Sequence, residues 1–100
     1  RVPVVIDGAI SAVSALLAAR MRPGAEDYML ASHISREPAA ELVLNALGLK
    51  PVICADLALG EGTGAAMLLP MLEMALNVYR GTHTFSDLGM KAYTPQEGKP

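Results

Sequence analysis

Residues 59–66 read Leu59-Gly60-Glu61-Gly62-Thr63-Gly64-Ala65-Ala66, and the rest of the chain is organised around this glycine-rich stretch. Glycine permits positive φ and lets a ligand approach the main chain closely. A helix that begins near Thr63 directs its N–H groups and the positive end of its dipole at this turn, which suits an anionic group. Glu61 is the only side chain of the turn that can accept a proton. The stretch is therefore the predicted reaction centre.

Strand-like and helix-like patterns alternate along the rest of the chain. The expected elements are a strand buried on both faces at Val2–Ile6, a helix at Ala9–Met21, a strand at Tyr28–Ala31, a helix at Pro38–Leu47 that Gly48 stops, a third strand or an extended segment at Pro51–Cys54, a helix from Gly62 to about Tyr79, and a turn at Phe85–Met90 capped by Thr84. Pro70 predicts a kink in the last helix or a break into two helices. This order predicts an α/β fold, with a parallel sheet of Rossmann-like βα units and C-terminal helices, as an incomplete portion of a larger domain.

Polar groups follow the predicted strands and extended runs at the points where these end. They are Asp7-Gly8, Ser32-His33 and Glu61-Gly62-Thr63. Because ligands of open parallel sheets bind beyond the carboxyl ends of the strands, these groups are expected to meet at one edge. This convergence predicts where a site would lie.

Composition narrows the function classes. Of the 100 residues, 52% are hydrophobic and 18% are charged, so a partner or a larger domain is expected to cover apolar surface. A net charge of −2 without a basic cluster argues against binding to nucleic acid. The single Cys54 excludes an intrachain disulfide and a multi-cysteine zinc site, and it fits a reducing compartment.

Targeting and membrane segments are not expected. No apolar run reaches the length of a membrane span, and residues 1–7 lack the long apolar segment of a signal peptide. The chain is therefore predicted to act in the cytoplasm, away from membranes. Residues 1–92 are expected to form the α/β segment, and residues 93–100 to form a polar tail.

Three segments of the sequence, taken in their order and spacing, carry a resemblance to a known family. They are Val4–Ser11, Ala31–Pro38 and Leu59–Ala65. Together they resemble the C-terminal part of the nicotinate-nucleotide:dimethylbenzimidazole phosphoribosyltransferases, which act in cobalamin assembly. The resemblance runs from about Val2 to Met90. Family chains are several times longer, so the resemblance implies a fragment that holds half a site and has no turnover by itself.

The resemblance implies transfer of the phosphoribosyl group of nicotinate mononucleotide to 5,6-dimethylbenzimidazole, giving α-ribazole 5′-phosphate and nicotinate. It implies that Glu61 is the general base, that Asp7 lies near the ribose, and that the Ser32-His33 turn and nearby glycines surround phosphate and ribose. It also implies a homodimer and chemistry without a metal or other cofactor. The residues assigned to substrate binding are Asp7, Gly8, Ser32, His33, Gly60, Gly62, Thr63 and Gly64.

Each motif has a simpler interpretation. Gly60, Gly62 and Ala65 fit a loose dinucleotide-binding pattern, although no following strand and ribose-binding acid complete it. Glu61 could be only a charge at a helix N-terminus, and Ser32-His33 only a capping turn. The alternative function is a non-catalytic module that binds a phosphorylated metabolite or mediates oligomerisation.

Three kinds of side chain outside the motifs have structural interpretations. Met67, Met71 and Met74 have the helical spacing of a core stripe or a subunit contact. Cys54 is expected to be a small buried hydrophobe, and His83 a surface residue.

Overall fold

The chain forms a small α/β structure, as the sequence predicts. The structure, a computed structural model, describes residues 2–58, 60–92 and 94. Its elements in chain order are strand β1 (Val4–Ile6), helix α1 (Ala9–Met21), a 3-10 turn (Glu26–Tyr28), strand β2 (Met29–Ala31), helix α2 (Pro38–Leu47) and helix α3 (Thr63–Gly81). Of the tail expected at residues 93–100, only position 94 is described, so the prediction of a polar tail lies outside the described residues.

The two described strands are parallel, with α1 in the connection between them. Val4 pairs with Met29, and Ile6 pairs with Ala31. Beyond β2, His33 and Ile53 form an isolated parallel bridge. The segment Pro51–Cys54 is therefore an extended segment and not a third strand, which was one of the two predicted alternatives. It lies alongside the continuation of β2.

β1 is shorter and less covered than the sequence predicts. The strand begins at Val4, and the Val4 side chain is 53% exposed whereas that of Ile6 is 2% exposed. The expectation of a strand buried on both faces from Val2 onward is wrong. In the described part of the chain β1 has a paired neighbour on one side, which leaves the start of the strand at a sheet edge. β2 likewise begins at Met29, because Tyr28 closes the 3-10 turn.

The core lies where α1 and α2 pack against each other and against the ends of the strands. Small side chains on α1, Ala12 and Ala15, permit this close approach. Both helices have the predicted bounds, and α2 has Pro38 in its first turn and ends at Gly48. The buried members of this core are Ile6, Ala12, Ala15, Ala31, Leu44 and Leu47.

Helix α3 touches the rest of the chain through its first turns and projects beyond it. Among its described residues, Gly64 and Leu68 are the buried ones. The radius of gyration is 17.3 Å, against about 13 Å for a compact domain of this length. The helix continues through Pro70, so of the two predicted alternatives the break into two helices is wrong and the kink stays a prediction. Complete turns on both sides of the proline sustain the helix although one backbone hydrogen bond is lost.

One expectation about burial is also wrong, and one is confirmed. Met67, Met71 and Met74 are 44%, 44% and 68% exposed, so of their two predicted roles they do not form a core stripe within the described chain, and the subunit contact stays a prediction. Cys54 is exposed, because Ile53 beside it turns inward and neighbours in an extended segment point to opposite sides. His83 lies on the surface, as predicted.

No helix within residues 2–58 and 60–92 has both the length and the apolar character needed to cross a membrane.

The predicted cap at Thr84 is present in the structure. The Thr84 N–H and hydroxyl both donate to Oδ2 of Asp87, at 2.8 and 2.7 Å, and the Asp87 N–H donates to the Thr84 hydroxyl. These hydrogen bonds, the backbone one first, hold the pKa of Asp87 below its ordinary value.

This cap predicts how the turn after α3 responds to acid. The folded pKa of Asp87 is lowered, so the ionised carboxylate stabilises the folded turn. This contribution to stability is fully present above the unfolded pKa, about 3.9, and is lost as the pH falls through the lower folded pKa. An NMR titration of the Asp87 carboxyl carbon is expected to give a midpoint below the ordinary value. Thr84→Ala should raise that midpoint in part, since the backbone hydrogen bond remains. A midpoint at or above the ordinary value would contradict the cap.

Candidate functional site

A cleft lies at the carboxyl ends of β1 and β2, where the sequence predicts that the polar groups meet. Its volume is about 360 Å³, within the range of small-molecule sites. Of the predicted site residues, the structure brings five to the wall of the cleft. The lining residues are Asp7, Gly8, Ala9, Ile10, Ser11, His33, Ser35, Glu37, Ala58, Gly60 and Glu61.

The Glu61 turn has an uncommon backbone conformation. Gly60, Glu61 and Gly62 have φ values of 71°, 55° and 79°, so three successive residues are left-handed. Glycine accepts this conformation freely, but a residue with a Cβ atom is less stable in it by about 1–2 kcal/mol. Strained residues of this kind cluster at active sites, where the surrounding structure holds them.

The Glu61 side chain lines the cleft without a structural partner. Its carboxylate has no hydrogen bond or ion pair with the residues that the structure describes. The first turn of α3 contains no acidic residue, since Gly62 is the N-cap and Glu61 precedes it. Glu61 therefore lies just before the N-cap and outside the first turn, and its carboxylate is available to a ligand; its interpretation as only a charge at the helix N-terminus stays an alternative.

Asp7, at the end of β1, supplies the anion at the start of α3. Its Oδ2 accepts a hydrogen bond from the N–H of Gly62, and its Oδ1 accepts one from the N–H of Ala65, both at 3.0 Å. The expectation that these amides are free for an anionic ligand is wrong, because a carboxylate of the chain already satisfies them. The Asp7 N–H donates to the Ser11 hydroxyl, which donates to the Gly8 carbonyl and thereby fixes this turn.

Ser32 and His33 are buried, with exposed fractions of 0% and 4%. The Ser32 hydroxyl donates to the Ile6 carbonyl at 2.7 Å and lies 3.0 Å from His33 Nδ1. Because the hydroxyl hydrogen is used at the carbonyl, the hydroxyl oxygen is placed to accept a hydrogen bond from Nδ1–H of His33. His33 Nδ1 also lies 3.8 Å from Asp7 Oδ1. Neither residue caps α2, whose N-cap is Glu37, so the interpretation as a capping turn is wrong.

Gly64 lets α3 approach the His33 ring. A Cβ atom at this position would overlap Nδ1 of His33 and would lie 2.6 Å from Cε1 and 2.8 Å from Cγ. One turn later, Leu68 is 1% exposed. Helix α3 therefore packs closely on the strand ends at two positions, through its backbone at Gly64 and through the side chain of Leu68. Thr63, at the first helical position, is half-buried and does not line the cleft.

Six residues that line the cleft were not predicted as site residues. They are Ala9, Ile10, Ser11, Ser35, Glu37 and Ala58. Glu37 adds a third carboxylate to the lining besides Asp7 and Glu61, but in the sequence it precedes Pro38 and indicates only the start of a helix. Ser11 could have been found from its place three residues after Gly8, where a hydroxyl can bond back to the backbone of the preceding turn.

Within the described part of the chain, no three His, Cys, Asp or Glu side chains are grouped in a way that could hold a metal ion.

Comparisons with known proteins agree on one family. A family model described as "Phosphoribosyltransferase" matches residues 1–90. The nicotinate-nucleotide–dimethylbenzimidazole phosphoribosyltransferase of Acetivibrio thermocellus is 43% identical over 96 residues, covering 96% of this chain and 27% of its own length. The enzyme of the same name from Chlorobium chlorochromatii is 46% identical over 86 residues, covering 86% of this chain and 24% of its own length.

Solved structures give the same result. The crystal structure of CobT from Thermus thermophilus superposes with a TM-score of 0.79 at 45% identity, covering 89% of this chain and 26% of that one. The chain thus spans about a quarter of the length of the curated relatives it matches. With a family model over nine-tenths of its residues and close agreement in fold, the chain belongs to the phosphoribosyltransferase family that includes the nicotinate-nucleotide–dimethylbenzimidazole enzymes.

Proposed function

We propose that this chain takes part in transferring the phosphoribosyl group of nicotinate mononucleotide to 5,6-dimethylbenzimidazole, giving α-ribazole 5′-phosphate and nicotinate in cobalamin lower-ligand assembly. The names of its relatives support this glycosyl transfer. The observation that carries it is an unpartnered carboxylate, Glu61, held in a left-handed turn on the wall of the cleft. Because the chain spans a quarter of its relatives, turnover is expected only together with the remaining segments of such an enzyme.

In this reaction Glu61 acts as the general base. A ring nitrogen of the benzimidazole attacks C1′ of the ribose, while the bond from C1′ to the nicotinate nitrogen breaks and its electron pair leaves with nicotinate. The other ring nitrogen loses its proton to the Glu61 carboxylate, within hydrogen-bond reach. Positive charge develops on the sugar in the transition state, so carboxylates that face the cleft favour it.

The remaining site residues divide by their access to the cleft. Gly8, His33 and Gly60 face it and are proposed to surround the ribose and phosphate, whereas Asp7 faces it with both carboxylate oxygens bonded to backbone amides at the start of α3. Ser32 is wholly buried and supports His33 through their hydrogen bond. Gly62, Thr63 and Gly64 shape the start of α3 behind the Glu61 turn.

Ligand-dependent melting of the chain tests the binding part of the proposal. A ligand that binds only the folded state raises the melting temperature, by mass action. Nicotinate mononucleotide and α-ribazole 5′-phosphate are expected to raise it, whereas nicotinate without the phosphoribosyl group should not. No shift with either phosphorylated ligand would favour the alternative of an oligomerisation module. Loss of transfer in Glu61→Gln, with binding retained, distinguishes the enzyme from a non-catalytic binding module.

We further propose that the chain associates as a homodimer in the cytoplasm through α3. The projecting part of this helix exposes large apolar side chains, among them Met74, Val78 and Tyr79 at 68%, 67% and 84%. Contiguous apolar surface of this kind is uncommon on monomers and marks interaction sites.

Sedimentation velocity tests this association. The chain is expected to sediment as a dimer, and Met74→Glu is expected to shift it toward monomer because a charge at an apolar contact is desolvated without a partner. Asn77→Glu is the matched control, since it adds the same charge at an exposed polar position of the same helix. A wild-type monomer at every concentration, or an equal effect of both substitutions, would contradict a dimer through α3.

A further inference from the structure

Two backbone amides that follow Glu61 donate hydrogen bonds to one side chain, that of Asp7. Asp7 accepts from Gly62, immediately after Glu61, and from Ala65, in the first turn of α3. These contacts join positions 55 and 58 residues apart in sequence. The cleft wall at Glu61 and the start of α3 are thus tied to the end of β1 through a single carboxylate.

A left-handed run at Gly60, Glu61 and Gly62 needs such a tie. A strained conformation persists only where the surrounding structure over-determines it. Glu61 itself makes no hydrogen bond with the described residues that would hold its own backbone. The backbone bond from the Thr63 N–H to the Gly60 carbonyl closes the turn locally, but only Asp7 links it to the sheet among the hydrogen bonds of the described residues.

Asp7 is itself held from both sides. Its N–H donates to the Ser11 hydroxyl at 3.0 Å, and its Oδ1 lies 3.8 Å from Nδ1 of the buried His33. Its side chain is 17% exposed, so little of the carboxylate is left for a ligand. Both oxygens are engaged with backbone amides of the turn and helix.

We propose that Asp7 is a positioning residue, which holds the left-handed turn so that the Glu61 carboxylate faces the cleft. This inference rests on the proposed function, in which Glu61 is the base. It gives Asp7 a different task from the ribose contact that the family resemblance implies. The ribose contact requires a carboxylate that binds substrate, whereas the positioning role acts through Glu61.

Amide hydrogen exchange on the chain itself tests the tie. In Asp7→Ala the amides of Gly62 and Ala65 are expected to exchange about tenfold faster or more, because each loses a hydrogen bond to a charged acceptor. Asp7→Asn keeps one acceptor oxygen and is expected to restore part of the protection. Asp27→Asn, an exposed carboxylate in the 3-10 turn, is the control and should change neither amide. Unchanged protection in Asp7→Ala would overturn the proposal.

Kinetics separate positioning from substrate contact. In a full-length family enzyme in which this chain forms the matching segment, Asp7→Ala is expected to lower kcat by about 100-fold and to leave KM for nicotinate mononucleotide unchanged. Adding Asp7→Ala to Glu61→Gln should produce no further loss, since Asp7 acts through Glu61. A rise in KM with kcat retained, or a full additional loss in the double variant, would overturn the positioning role.

The same series of variants distinguishes failure of the proposed function from failure of the positioning role. If Glu61→Gln leaves transfer intact, Glu61 is not the base and the proposed function fails, whatever Asp7 does to the turn. If Glu61→Gln abolishes transfer while Asp7→Ala changes only KM, the proposed function stands and the positioning role fails.

Discussion

Phosphoribosyl transfer is expected to fall by about 10²- to 10⁴-fold when Glu61 is replaced by Gln. Glutamine retains the size of the side chain and the left-handed backbone of the turn, but it cannot accept the benzimidazole proton. The measurement is steady-state transfer from nicotinate mononucleotide to 5,6-dimethylbenzimidazole, in a full-length family enzyme in which this chain forms the matching segment. KM for nicotinate mononucleotide is expected to stay constant, because Glu61 acts on the attacking base.

Glu73→Gln is the matched control for this substitution. It removes the same charge from an exposed position on α3, away from the cleft, and is expected to leave kcat unchanged. Equal activity of the Glu61→Gln variant and the wild-type enzyme would remove Glu61 from the chemistry and, with it, the central support for the proposed function.

Gly64→Ala is expected to destabilise the chain by about 1–3 kcal/mol. The new methyl group would occupy the position of the His33 ring, which is buried and held by Ser32, so α3 must move away from the strand ends. Thermal unfolding measures the effect, and a loss of 1 kcal/mol corresponds to about 4–8 °C in a domain of this size.

The control for Gly64→Ala lies on the same helix. A Cβ atom at Gly81 meets no atom within 4 Å, so Gly81→Ala is expected to preserve the melting temperature or raise it. Combining Gly64→Ala with His33→Ala should cost less than the sum of the two single substitutions, because the second removes the ring that the methyl group strikes. A Gly64→Ala chain as stable as the wild type would contradict the close approach of α3 to His33.

Local signals predicted the helices well and the strands less well. Pro38 at the first position and Gly48 past the end define α2 completely, since capping and stopping act within a few residues. The start of β1 at Val4 depends on which neighbour covers the strand, and no sequence pattern within residues 2–6 contains that information. The prediction of a buried Cys54 fails for the same reason, because the face it occupies is set by the pairing of Ile53 with distant residues.

In the candidate site, too, local features were predictable and contacts between distant residues were not. The glycine-rich turn and the three polar groups were recognisable from the sequence, and they meet in one cleft. The bonds of Asp7 could not be predicted, because they join residues more than fifty positions apart and depend on how α3 docks. Glu37 was hidden because a glutamate before Pro38 has a sufficient local explanation at a helix start.

The left-handed backbone at Glu61 has a consequence for protein engineering. A procedure that selects substitutions for thermal stability alone would place glycine at this position, since glycine relieves the conformation at no steric cost. The resulting chain would be more heat-resistant and would have lost the acid on which the proposed chemistry depends. Redesign of this segment should therefore keep position 61 fixed and seek its added stability at sites remote from the cleft.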